Sequence, residues 1–172
     1  MATVSTNAPT SEQAVRIRLL VLDVDGVLTD GLLQFDADGR ETKVFNVRDG
    51  YGIRQVLAAG IQVAVISGRS SPAVDARMAE LDVKHVLLGQ NDKLAALKEI
   101  TEQLAIPMEA VACVGDDLPD LPLMQAVGLS VAVADAHPKV IEGANWCTGL
   151  TGGRGAVREI CDLLVAAQGT GL

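Results

Sequence analysis

Apolar runs of strand length that halt at an acid, a hydroxyl or a glycine recur along this chain, and no other feature narrows its possible folds as far. IRLLVLDVDG opens the series near Ile17, followed by QVAVIS (62–67), His85–Leu88, VACVG (111–115) and LSVAV (129–133). A run without polar alternation is buried on both faces, as the strands of a parallel sheet are. Helical patterns lie between the runs. Ser71-Pro72 starts one, Asn91 and Asp92 precede LAALKEITEQLA, Pro138 opens a short turn after His137, and GAVREICDLLVAAQ (155–168) is amphipathic. This alternation predicts an α/β fold with a doubly wound, mainly parallel, Rossmann-like sheet. At 172 residues, 49% of them apolar, the chain suits one such domain over 15–172. Residues 1–14, rich in Ser, Thr and Ala without periodicity, are expected to form a disordered arm.

One segment departs from the alternation. GLLQFDADGRETKVFNV has two alternating runs around Asp38-Gly39 and predicts an inserted β-hairpin over 31–47. Period-2 counting places Leu33, Phe35, Phe45 and Val47 on one face. A lone hairpin with an apolar face is marginal in water, so that face is expected to pack on something: its own domain or a second subunit.

Composition excludes several function classes. Lys plus Arg total 14 against 22 Asp plus Glu, a formal charge of −8, which rules out a basic nucleic-acid footprint. The aromatic residues, Phe35, Phe45, Tyr51 and Trp146, are too few for base-stacking platforms or a membrane-interface belt. Three cysteines without a CxxC pair point to buried thiols in a reducing compartment. The opening MATVSTNAPTSEQAVR has no apolar h-region and no run reaches membrane-spanning length, so a soluble cytoplasmic protein is expected.

In an open α/β sheet the ligand site lies beyond the carboxyl ends of the strands. Here those ends carry Asp23 and Asp25, Ser67, and Gly115-Asp116-Asp117. Any one such Asp is an ordinary turn former, but the set is not explained that way. Several carboxylates brought together resist ionising unless a cation sits among them, and oxygen-only ligands suit Mg²⁺. Lys93 opens a helical pattern, where a cation opposes the macrodipole unless an anion is held there. Gly152, Gly153 and Gly155 around Arg154 read either as a cationic loop over an anionic substrate or as a glycine-rich helix entry.

DVDGVLTDG, ISGR, the Lys of QNDKLAAL and VGDDLPD, in that order, resemble the haloacid dehalogenase superfamily of aspartyl-phosphate phosphatases. The resemblance implies Asp23 as nucleophile, Asp25 as general acid and base, Ser67 and Lys93 as phosphoryl holders, and Asp23, Asp25 and Asp116 as the Mg²⁺ site. GLLQFDADGRETKVFNVRDGYGIR, SVAVADAHP and TGGRGAVREICDLL narrow it to the 3-deoxy-D-manno-octulosonate 8-phosphate phosphatase family. That likeness implies hydrolysis of a sugar-acid phosphate in lipopolysaccharide biosynthesis, no large cap domain, and a homotetramer. It also implies substrate contacts from Asp25, Asn46, Arg48, Asp49, Gly50, Arg54, Arg69, Arg77 and Lys93. The intervals between Asp25 and Ser67, and between Lys93 and Asp116, are independently too short for a lid domain. Two other classes compete: a phospho-acceptor signalling module, whose adjacent acidic pair would lie near the first strand and its phospho-acceptor on a middle one, whereas here the DxD comes first and Asp116-Asp117 late, and a noncatalytic phosphatase-like scaffold, which would not need both Asp23 and Asp25.

Overall fold

The apolar runs pair as their burial predicts. The computed structural model describes residues 8–169. In chain order the elements are α1 (Ser11–Val15), β1 (Leu19–Leu22), β2 (Gln34–Phe35), β3 (Glu41–Thr42), α2 (Val47–Ala58), β4 (Gln62–Ile66), α3 (Pro72–Glu80), β5 (His85–Leu87), α4 (Lys93–Leu104), β6 (Val111–Gly115), α5 (Leu121–Met124), β7 (Leu129–Ala132), α6 (Pro138–Gly143), β8 (Trp146–Cys147) and α7 (Ala156–Ala167). Short 3-10 turns at Met108–Ala110 and Leu118–Asp120 flank β6.

Six strands form one parallel sheet in the order β5-β4-β1-β6-β7-β8. β1 and β6 are buried along their whole length, which is why neither alternates. Leu22 pairs with Val65 on one side and Val114 on the other. From β1 the chain fills one side of the sheet with β4 and β5, then crosses to the other with β6, β7 and β8. The reversal opens a crevice at the carboxyl end of β1, and Asp23, Ser67 and Asp116 all lie within two residues of those paired positions. Helices flank the sheet, α2 packing on α7 and α4 on α5. Cys113 and Cys161 are buried and Cys147 half-buried, all as free thiols. No helix among the described residues is long and apolar enough to cross a membrane.

Two sequence expectations need correction, one strand goes beyond them, and one open reading is decided. Within the arm expected over 1–14, Ser11–Val15 is a helix, started by a capping box between Thr10 and Gln13 and seated on α7 through the buried Ala14. Residues 1–7 lie outside the described residues. The edge strand β8 was not anticipated, since a two-residue strand carries no readable period. The hairpin forms around Asp38-Gly39, with Gly39 at φ 77°, but its strands are two residues long and Val47 already belongs to α2. Asp36 closes the turn, its carboxylate accepting from Asp38 N and Arg40 N at 2.9 and 2.8 Å, and Asn46, accepting from Arg48 N at 2.9 Å, starts α2 where the second strand was expected to continue. Finally, the glycine-rich segment is a close-packed helix entry. A Cβ on Gly152 or Gly153 would collide with the backbone of Gly26 or Thr29, and Arg154 pairs with Asp30 at 3.2 Å.

Candidate active site

Asp23 sits one residue past β1, its carboxylate 2.9 Å from Lys93 Nζ. Lys93 is the first residue of α4, behind the N-cap Asp92, and is only 9% exposed. Its ammonium also donates to Asp120 Oδ1 at 2.6 Å. Burial works against that charge, but the carboxylates of Asp23 and Asp120 outweigh it and raise the Lys93 pKa. The cation that opposes the α4 macrodipole is thus held by two acids.

Asp116 follows β6. Asp23, Asp116 and Asp120 each bring a carboxylate oxygen within 4.8 Å of the others. Glycines make this approach possible: at Gly26 (φ 89°) a Cβ would strike the Asp116 carboxylate, and at Gly115 it would lie 2.7 Å from the Asp120 Cβ. Burial, and then the charge of Asp120, push the Asp23 carboxyl up to about 6 despite Lys93. Burial together with Asp23, Asp120 and Asp117 pushes Asp116 up to about 8. A cluster of acids that resists ionising is the environment a small divalent cation relieves, and the all-oxygen donor set fits Mg²⁺.

The structure changes the membership of that cluster. Asp120 joins it, whereas the Asp25 carboxylate, on the turn after Asp23, is ion-paired with Lys43 and lies 3.6 Å from Arg69 Nε. Asp120 is largely committed already, with Oδ1 on Lys93 and Oδ2 accepting from Asp116 N and Asp117 N at 3.0 and 3.3 Å. It therefore braces the cluster beside the Asp23 and Asp116 carboxylates. Its sequence signal was present in VGDDLPD, three positions after Asp117, as the second half of a capping box.

A cleft of about 330 Å³ is lined by Asp23, Asp25, Ser67, Arg69, Lys93, Asp116, Asp117 and Asp120, with Gly31, Gly68 and Pro119. Ser67, 3% exposed, accepts from Arg69 N at 3.2 Å, so the ISGR turn is closed upon itself at the cleft.

The remaining expected substrate contacts lie elsewhere in the single chain. Asn46 is the N-cap of α2 and donates to Gly153 O at 3.3 Å. Arg48 is exposed outside the cleft. Asp49 is 1% exposed and accepts from Arg158 N at 2.8 Å, serving the start of α7 where Gly155 has no capping side chain. Burial raises its pKa, against the opposing backbone bonds from Arg158 and Gly155. Gly50 is buried against Arg77, which pairs with Glu80 at 2.8 Å. Arg54 lines a separate depression with Leu57, Ala58, Leu81 and Asp82. Neither Lys43 nor Glu41 had been singled out from the sequence. The signal was a charge at Lys43, in phase with Phe45 and Val47 on the face expected to be apolar.

Comparison with known proteins agrees with this geometry. The family model for haloacid dehalogenase-like hydrolases matches residues 85–160. The 3-deoxy-D-manno-octulosonate 8-phosphate phosphatase of Escherichia coli K12 is 57% identical over 157 residues, 91% of this chain and 84% of its own length. A crystal structure of the Yersinia pestis phosphatase of that name superposes with a TM-score of 0.91 at 50% identity, over 93% of this chain and 86% of the other. The Moraxella catarrhalis phosphatase, crystallised with magnesium, phosphate and KDO, superposes with a TM-score of 0.90 at 42% identity, over 92% and 91%.

Proposed function

The chain belongs to the 3-deoxy-D-manno-octulosonate 8-phosphate phosphatase family of haloacid dehalogenase-like hydrolases, and from that premise we propose that it hydrolyses this sugar-acid phosphate to Kdo and inorganic phosphate in lipopolysaccharide biosynthesis. The observation that carries the reading is Asp23, held at the crevice between the Lys93 ammonium and the Asp116 and Asp120 carboxylates. Motif order argues against the signalling module, since the DxD follows the first strand and the adjacent pair Asp116-Asp117 comes late, and the presence of both Asp23 and Asp25 argues against a scaffold.

Asp23 is the nucleophile. One carboxylate oxygen attacks phosphorus, the bond to the sugar oxygen breaks, and Asp25 supplies the proton that the leaving alkoxide takes up. Water then cleaves the aspartyl phosphate, giving its proton to Asp25 and releasing inorganic phosphate, so both carboxyl groups are restored. Ser67 and Lys93 hold the phosphoryl oxygens, with Lys93 also neutralising Asp23 before attack. Asp23, Asp25 and Asp116 would hold Mg²⁺, which when bound would offset the repulsion between a phosphate dianion and the acids.

Among the arginines considered, Arg69 is the one lining the cleft, its side chain 47% exposed and able to turn toward a ligand. A guanidinium holds a carboxylate through two parallel hydrogen bonds, worth about 1.5–3 kcal/mol or roughly 10- to 100-fold in binding. The expected result is a kcat/KM for 3-deoxy-D-manno-octulosonate 8-phosphate at least about tenfold above that for a neutral hexose phosphate. Arg69→Ala should erode that preference. Equal kcat/KM values for the two substrates would leave only a general sugar phosphatase.

The oligomer belongs to the same proposal. Leu32, Leu33, Phe35, Val44 and Val47 are 49–77% exposed around the hairpin, while Phe45 alone of the expected face is partly buried on its own core. An uncovered apolar face beside a cleft without a lid supports association in which a neighbouring copy covers both, and the family resemblance makes that assembly a homotetramer. Phe35→Asp should shift sedimentation toward smaller species; a wild-type protein that sediments as a fully active monomer would refute the assignment. A cytoplasmic location completes the reading, supported by three cysteines that are not paired with one another and by the relatives' substrate.

A further inference from the structure

The hairpin carries two charged side chains that the catalytic assignment leaves without a task. The Lys43 side chain is only 3% exposed, although its neighbours Thr42 and Val44 face solvent. A lysine stem is long enough to reach water from such a place, so an ammonium kept inside needs its lost hydration replaced. Two carboxylates replace it: Asp25 Oδ1, and Glu41 Oε1 at 2.8 Å. Glu41 also pairs with Arg69, whose Nε lies 3.6 Å from Asp25 Oδ2. The four charges close a ring that joins the turn after β1, the hairpin and the turn after β4.

The two halves of the ring differ in freedom. Arg69 is half exposed and can leave to meet a ligand, whereas Lys43 is enclosed and stays. Asp25 consequently has one oxygen tethered by Lys43, while Oδ2 is buried without a hydrogen-bond partner. Proton delivery requires that free oxygen to stand within about 2.6–3.2 Å of the leaving atom, and an error of about 1 Å costs on the order of 100-fold. Asp25 lies on a turn, beyond the hydrogen bonds that hold β1, so its backbone alone does not set the carboxyl plane.

We propose that Lys43, itself oriented by Glu41, is a positioning residue that fixes the Asp25 carboxyl group for delivering its proton to the leaving sugar oxygen. The hairpin is then part of the catalytic apparatus as well as a surface for a second copy. This rests on the reading of Asp25 as the leaving-group acid.

The test compares two leaving groups in the full-length enzyme with saturating Mg²⁺. A primary sugar alkoxide needs a proton as the P–O bond breaks, and p-nitrophenolate does not. kcat/KM reports events only through that cleavage, so the later attack of water does not enter. For Lys43→Met the expected result is a fall of roughly 30-fold or more with 3-deoxy-D-manno-octulosonate 8-phosphate and less than about threefold with p-nitrophenyl phosphate. Glu41→Gln, on the same ring and a milder change, should show a smaller split of the same sign, and it carries the test alone if Lys43→Met does not fold. Equal losses on both substrates, or no loss on either, would overturn the proposal. Asp25→Asn separates the two levels. If it shows the split and the ring variants do not, only the positioning role fails; if Asp25→Asn itself shows none, the acid assignment fails and the positioning role with it.

Discussion

Asp23→Asn is expected to abolish turnover, by on the order of 10⁴-fold or more, while the protein stays folded. The amide matches the carboxylate in shape but cannot form an acyl phosphate. The fold should tolerate it, because burial and the Asp120 charge already disfavour an ionised Asp23. Lys93 keeps its 2.6 Å bond to Asp120 after the change. The metal-free variant is therefore expected to melt at or above the wild-type temperature, the usual consequence of removing a strained catalytic charge. Phosphate release within tenfold of wild type, measured with 3-deoxy-D-manno-octulosonate 8-phosphate, would sink the mechanism.

Chelating the divalent cation is expected to cost on the order of 10³-fold in activity, restored by Mg²⁺. Without the cation a phosphate dianion must approach Asp23, Asp116 and Asp120 with Lys93 and Arg69 alone of the cleft-lining residues in opposition. The same cluster makes the effect on stability depend on pH. Asp116 rises from an ordinary carboxyl value of 3.8 to about 8, so between these values the folded state holds a proton that the unfolded chain has lost. Its contribution to metal-free stability is complete below the lower value and is lost as pH rises through the upper one. Mg²⁺ replaces protons in this site, so its gain in melting temperature should be larger near pH 8 than near pH 6. Calorimetric melts with and without Mg²⁺ at the two pH values measure this. A gain independent of pH would show that the acids do not share the cation.

Much of this protein was legible in one dimension because burial on two faces leaves a plain trace. The runs at 19–22, 63–66 and 111–115 carry no polar side chain, and 129–132 only the buried Ser130, because β1, β4, β6 and β7 lie inside a parallel sheet. The helix starts at Asp92 and His137 were readable for a similarly local reason: a cap is chemistry between residues two or three positions apart, while the start after Ser71, which makes no cap bond, was readable from Pro72 at the first helical position. Motif order then placed Asp23, Ser67, Lys93 and Asp116 on one rim, since a parallel sheet brings all its carboxyl ends to the same side.

What tertiary structure decided was the partner of each charge. Period-2 counting follows side chains only while a strand lasts, and β1 ends at Leu22, so it could not say that Asp25 turns toward the hairpin while Asp23 turns toward Lys93. Asp49 looked like a substrate ligand from its motif, yet the packing of α2 on α7 commits it to the Arg158 backbone more than a hundred residues away. Arg54 and Arg77 face Glu80 because α2 and α3 set them there, not at the crevice. Lys43 became part of the site only when the hairpin folded back over the β1 turn. Local sequence determines which elements form, because hydrogen bonding and burial act on neighbouring residues; which acid meets which cation depends on how those elements dock, because Coulomb interactions at a few ångströms join residues wherever the chain brings them.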